Sequence, residues 1–79
     1  MKILFFARAR EAAGCAEFSL PAGSALTQAD VWTALVAAFP ALAEFQKTAR
    51  MARNETYLLP GELLQPGDEI AVIPPVSGG

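Results

Sequence analysis

The chain has 79 residues, 53% hydrophobic and 18% charged, which suits one small folded domain rather than a disordered chain. A net charge of -2 argues against a basic nucleic-acid footprint, and the absence of histidine removes the commonest general base and metal ligand. The single cysteine, Cys15, excludes an intrachain disulfide and a cysteine metal cluster. No apolar run approaches the length of a membrane span, and the opening "MKILFFARAR" is too short an apolar stretch for a signal peptide. A reducing cytoplasm is the expected setting.

Lys2 to Arg8, "KILFFAR", reads as a strand. Ile3 and Phe5 point one way, Leu4 and Phe6 the other, and both sets are apolar, so a strand buried on both sides is expected. "EAAG" (Glu11 to Gly14) suits a turn of helix or a loop. "CAEFSL" (Cys15 to Leu20) reads as a second strand with Phe18 and Leu20 on one face, closed by Pro21.

The main helix follows. Thr27 with Asp30 three residues later resembles a capping box, with Asp in place of the usual Glu or Gln. Val31, Leu35 and Phe39 recur every four residues, and Trp32 and Val36 widen that stripe. Alanines at 34, 37 and 38 favour helix, and Pro40 should end it by Phe39. "PALAEFQKTA" suits a second, shorter helical turn with Pro40 early in it.

"RMARN" and "ETYLL" read as two short strands with a turn near Asn54 and Glu55. Pro-Gly steps at 60–61 and 66–67 suit type II turns, where Gly accepts a positive φ. "EIAVI" (Glu69 to Ile73) is a last strand, again apolar on both faces. The first and last strands therefore read as inner strands of one mixed sheet; if they are neighbours they run parallel, with the helix in their connection. This is an α+β layout with one main helix packed across the sheet, the β-grasp arrangement that ubiquitin shares.

The chain then ends "AVIPPVSGG". Pro74 and Pro75 donate no ladder hydrogen bond and hold the exit extended. Residues 76–79 read as a tail beyond a domain of residues 1–75, reaching about 13–14 Å at roughly 3.3–3.6 Å per residue. Gly78 and Gly79 lack side chains and suit a narrow tunnel. A terminal carboxylate is a poor electrophile and reacts only once activated. The chain has no phosphate-cradling glycine motif and no evident acyl-transfer site of its own, so the chemistry would come from a partner. Terminal residues commonly fray, but this tail follows directly from a core strand with no linker.

"ILFFARARE", "RNETYL" and above all "LQPGDEIAVIPPVSGG" together resemble the MoaD/ThiS family of sulfur carriers, in particular its molybdopterin-synthase branch. The resemblance spans nearly the whole chain. It implies that the carboxylate of Gly79 is adenylated by an E1-like activating enzyme using ATP. Sulfur from a persulfide donor then gives a covalent C-terminal thiocarboxylate. It further implies that Pro75, Val76, Ser77, Gly78 and Gly79 insert into the active site of a large synthase subunit. There the sulfur passes to cyclic pyranopterin monophosphate, within a heterotetramer that has a small subunit at each end. No bound cofactor, metal, nucleic acid or membrane is implied.

The remaining residues have plainer readings. Phe5 and Phe6 suit the core, with one of them free for a partner surface. Arg10 and Glu11 are expected in a loop beside the first strand, and Arg50 and Arg53 on a solvated strand face. Leu58, Leu59, Leu63 and Leu64 form an apolar cluster around a turn, part of it exposed. Phe6, Arg10, Glu11, Leu58 and Leu59 are the candidate partner contacts. Cys15 suits a small buried apolar residue and Trp32 a packing role. Three other readings share this sequence: a ThiS-like carrier for thiazole synthesis, a ubiquitin-like protein modifier, and a β-grasp binding module with an inert tail.

Overall fold

A computed structural model describes residues 1–75. Strand β1 (Lys2–Phe5) leads into helix α1 (Ala7–Ala13), then strand β2 (Glu17–Ser19) and helix α2 (Gln28–Ala38). A 3₁₀ turn at Pro40–Phe45 is followed by strands β3 (Arg50–Arg53), β4 (Thr56–Tyr57) and β5 (Glu69–Ile73). The five strands form one mixed sheet in the order β2-β1-β5-β3-β4. β1 and β5 are parallel neighbours at its centre, pairing Ile3 with Ile70 and Phe5 with Val72, and the other pairs are antiparallel. This is the β-grasp fold expected.

The first strand is shorter than its apolar run. Lys2 to Arg8 divides at Phe6, and Arg8, Arg10 and Glu11 lie on α1 rather than on a strand or in a loop. The physical reason is the alanine content of "ARAREAA", which favours helix, closed by Gly14 at φ 78° with its N–H donating to the Arg10 carbonyl. Ala7 opens this helix at φ 49°, an uncommon conformation for a residue with a Cβ, and it turns the chain out of the sheet.

The capping box of α2 is complete. The Asp30 N–H donates to Thr27 Oγ1 at 3.0 Å, and the Thr27 N–H donates to Asp30 Oδ2 at 3.1 Å. The helix lays Val31, Trp32 and Leu35 onto the sheet, with Val31 and Leu35 fully buried. Beneath them sit Ile3, Phe5, Ile70, Val72 and Met51. Phe39 ends the helix and packs edge-on against Phe5 and Phe18, at 5.5 and 5.0 Å between ring centroids. Leu42 and Phe45 of the 3₁₀ turn close the same core.

Among the described residues only one face of the sheet is covered. Leu4, Ala71 and Ile73 are half-buried and Phe6 is exposed, so β1 and β5 are not buried on both sides as their composition suggested. Among the described residues α2 and the 3₁₀ turn lie on one face, and no element lies on the other.

β3 and β4 join through Asn54 and Glu55, both at positive φ (49° and 73°), as a two-residue type I′ connection requires. Of the two Pro-Gly steps, Gly61 has the positive φ of a type II turn at 86°, whereas Gly67 does not. The second turn is closed instead by the Asp68 N–H on the Gln65 carbonyl at 3.0 Å and by the Gln65 N–H on Asp68 Oδ2 at 2.8 Å. Arg53 is likewise not a solvated charge. Its guanidinium donates to the Leu63 carbonyl at 2.7 Å and to Glu62 at 3.0 Å, with Asp68 at 3.4 Å. It fastens the stretch 58–68 to β3.

Candidate functional site

The site expected from the sequence begins where β5 ends. β5 lies between β1 and β3, and its Ile70 and Val72 are fully buried, so the strand that leads to Pro74 and Pro75 is anchored on both edges and on one face. The Phe6 N–H donates to the Val72 carbonyl at 3.2 Å, which carries the β1–β5 ladder one step past the end of β1. On the other side Ile73 pairs with Arg50 as the last step of the β3 ladder. Pro74 is buried and Pro75 is exposed. The backbone is therefore held by the ladder up to Ile73, and the described residues end at the exposed Pro75. Val76, Ser77, Gly78 and Gly79, the expected tail and reacting terminus, lie outside the described residues.

Around this exit the open face of the sheet carries a shallow groove of about 330 Å³. Leu4, Phe6, Ala52, Tyr57, Ala71 and Ile73 are its apolar lining, with Glu55 and Glu69 among its polar lining. Phe6 and Tyr57 are 47% and 48% exposed, large for aromatic rings that the fold does not otherwise use. The side chain of Arg50 lies over the Tyr57 ring, its guanidinium carbon 3.9 Å from the centroid.

The five candidate contacts divide. Phe6 lies in the groove at the exit, and Arg10 lines a smaller pocket with Phe6, Ala7 and Glu17. Glu11 is exposed on α1. Leu59 is 66% exposed but sits elsewhere, its carbonyl accepting from Gln28 Nε2 at the start of α2. Leu58 is a correction: it is only 8% exposed, because its N–H continues the β3–β4 ladder to the Met51 carbonyl and turns its side chain into the core. Cys15 is half-buried and Trp32 is buried.

Sequence reasoning missed Tyr57 and Ile73 as surface residues and Arg53 as a tether. For Ile73 the signal was present in the apolar second face of β5, but it was read as core. For Arg53 there was none, because its partners Glu62 and Asp68 belong to a loop whose path depends on the fold. Among the described residues no helix is long and apolar enough to cross a membrane.

Comparison with known proteins places this geometry. The molybdopterin synthase sulfur carrier subunit of Chlamydomonas reinhardtii is 42% identical over 81 residues, covering 100% of this chain and 98% of that protein. The protein of the same name from Arabidopsis thaliana is 40% identical, covering 100% of this chain and 82% of that one. The crystal structure of the small archaeal modifier protein SAMP1 from Haloferax volcanii superposes with a TM-score of 0.85 at 33% identity, over 100% of this chain and 98% of that one. The model of the ThiS family matches residues 3–79. That match runs from the first central strand, through the helix that covers it, to the exit from the last, and the chain belongs to the ThiS family.

Proposed function

We propose that the chain is the sulfur-carrier subunit of a molybdopterin synthase. The supporting observation is the full-length likeness to relatives of that name, 42% identical over 81 residues in one case. In this reading residues 1–75 are a rigid handle and residues 76–79 the working tail. An E1-like enzyme adenylates the Gly79 carboxylate with ATP, releasing pyrophosphate. The outer sulfur of a persulfide donor then displaces AMP to form an acyl disulfide, and a second thiol cleaves its S–S bond, ending as a disulfide with the donor sulfur and leaving the thiocarboxylate. The tail enters the large subunit, where the sulfur passes to cyclic pyranopterin monophosphate. The chain is then no enzyme on its own, because the large subunit performs the transfer, and the setting is cytoplasmic.

The test is intact mass spectrometry after incubation with the activating enzyme, ATP and a sulfur donor. The expected result is a single oxygen-to-sulfur exchange at the C-terminus. An unchanged mass, where a known carrier is modified under the same conditions, overturns the reading. One residue added after Gly79 is expected to abolish sulfur loading and leave the unfolding transition unchanged.

A second reading has one observation behind it, the likeness to a protein named a modifier in Haloferax volcanii. It predicts covalent conjugates of higher mass in cells that disappear when Gly79 is deleted. A thiazole-pathway carrier would be revealed by binding to a thiazole synthase in place of the large subunit.

A further inference from the structure

The six Lys and Arg side chains divide by position. Lys2 and Arg53 are occupied. Lys2 Nζ lies 3.7 Å from Glu17 and 3.9 Å from Glu69, and Arg53 holds Glu62 and Asp68. Arg8, Arg10, Lys47 and Arg50 are exposed and enter no ion pair among the described residues.

The topology puts these four at one end of the sheet. β1 and β5 are parallel, so both finish at the same edge, and α1 starts there with Arg8 and Arg10. β3 runs against β5 and therefore begins there, with Arg50 opposite Ile73. Lys47 lies in the turn three residues before Arg50. The acids at this end are Glu11 on α1, Glu44 in the 3₁₀ turn and Glu17 at the start of β2, the last drawn towards Lys2. The opposite end carries Asp68, Glu69, Glu62 and Glu55. In a chain of net charge -2 this end thus carries four cations against three acids, one of those drawn towards Lys2, and it is the end at which the exposed Pro75 lies.

Arg50 differs from the other three. Stacking on Tyr57 fixes its guanidinium beside the apolar groove while leaving N–H donors free for a carboxylate. An arginine already ordered by an aromatic ring loses less rotamer freedom on binding than a free one.

We infer that this end is a docking surface for an acidic face on the protein that receives the tail. Arg50 is its anchor, and Arg8, Arg10 and Lys47 orient the approach so that the residues after Pro75 arrive first. The choice of the large subunit as that protein rests on the reading proposed above. Unpaired exposed charges act chiefly on the rate of encounter and are screened by salt, whereas an ordered arginine inside the contact acts on the rate of departure.

The experiment measures association and dissociation rates of the full chain with the large subunit at two ionic strengths, about 0.01 M and 1 M, where the screening length falls from about 30 Å to 3 Å. Arg8→Gln and Lys47→Gln together are expected to slow association roughly 5-fold or more at low salt, to match the parent at high salt, and to leave dissociation unchanged. Arg50→Gln should speed dissociation about 10-fold at both salts, with Arg50→Lys failing to restore it. Lys2→Gln, at the start of β1 on the other end and already held by Glu17 and Glu69, should leave both rates within about 2-fold. The inference is overturned if Arg8→Glu with Lys47→Glu associates as fast as the parent at low salt, or if Arg50→Gln leaves dissociation unchanged. Failure of the parent chain itself to bind the large subunit overturns the functional reading and the inference with it. That result is distinct from binding that ignores these charges.

Discussion

On the covered face of the sheet, Ile3, Ile70 and Val72 have no exposed surface and Phe5 retains 2%. One residue along the same two strands, Leu4, Ala71 and Ile73 are half-buried and Phe6 is 47% exposed. The two faces are similar in composition and differ in what lies on them. α2 and the 3₁₀ turn cover one; nothing among the described residues covers the other. An apolar face left open costs solubility and contributes little to the fold, so its persistence points to use by another molecule. The covered face holds the chain's exit strand still, and the open face surrounds the exit with surface a partner can read.

The largest effect should come from the covered side. Phe5→Ala removes a ring held edge-on by Phe39 and buried among Ile3 and Val72, and should cost about 3–5 kcal/mol. In a domain of this size that is a large share of the total stability. Urea unfolding of the variant tests it, and a loss under about 1 kcal/mol would mean the core repacks around the hole. Arg53→Ala comes next. It strips the Leu63 carbonyl, Glu62 and Asp68 of one shared partner at the edge of the covered side. With these side chains partly exposed, solvent screening holds the expected cost to about 1–2 kcal/mol. Amide exchange should speed up selectively in residues 58–68. Thr27→Ala is smaller again, about 1 kcal/mol, because it opens the capping box that starts the covering helix. Thr27→Ser should recover most of that loss, measured by the same unfolding curves.

Much of this contrast was legible before the fold was seen. The helix stripe of Val31 and Leu35 and the Thr27–Asp30 box follow from local pattern, and the inner place of the first and last strands from their apolar residues. So does the turn at Asn54 and Glu55, since each rests on residues close in sequence or on a period the chain repeats. Two features did not follow. Alternation in a strand shows that both faces are apolar, but not how many helices there are to cover them. That depends on the whole chain, and the second face was therefore read as core. Leu58 and Leu59, adjacent and identical, could not be told apart either. Which one faces inward is set by the ladder bond from Leu58 to Met51, a pairing between strands. The role proposed for the tail rests on resemblance and on its position after a core strand, and the described residues reach only to its root.

The smallest expected change in stability is also the sharpest test of the comparison. Phe5 and Phe6 are neighbours of one residue type, and only the first belongs to the core. Phe6 also occupies the cap position of α1, where it makes no side-chain capping bond. Serine is favoured at that position, so local stability alone would not select phenylalanine there. Phe6→Ser keeps the backbone bond to Val72 and exchanges a half-exposed ring for a residue suited to a cap. The unfolding free energy is expected to stay within about 0.5–1 kcal/mol of the parent, as for a surface position. Affinity for the large subunit is expected to fall about 10-fold or more, as for an aromatic anchor at an interface. If instead Phe6→Ser lost more than about 2 kcal/mol of stability, the ring would be part of the fold and the open face would need no partner. A variant that is stable yet binds poorly assigns the two faces of one strand to two separate tasks.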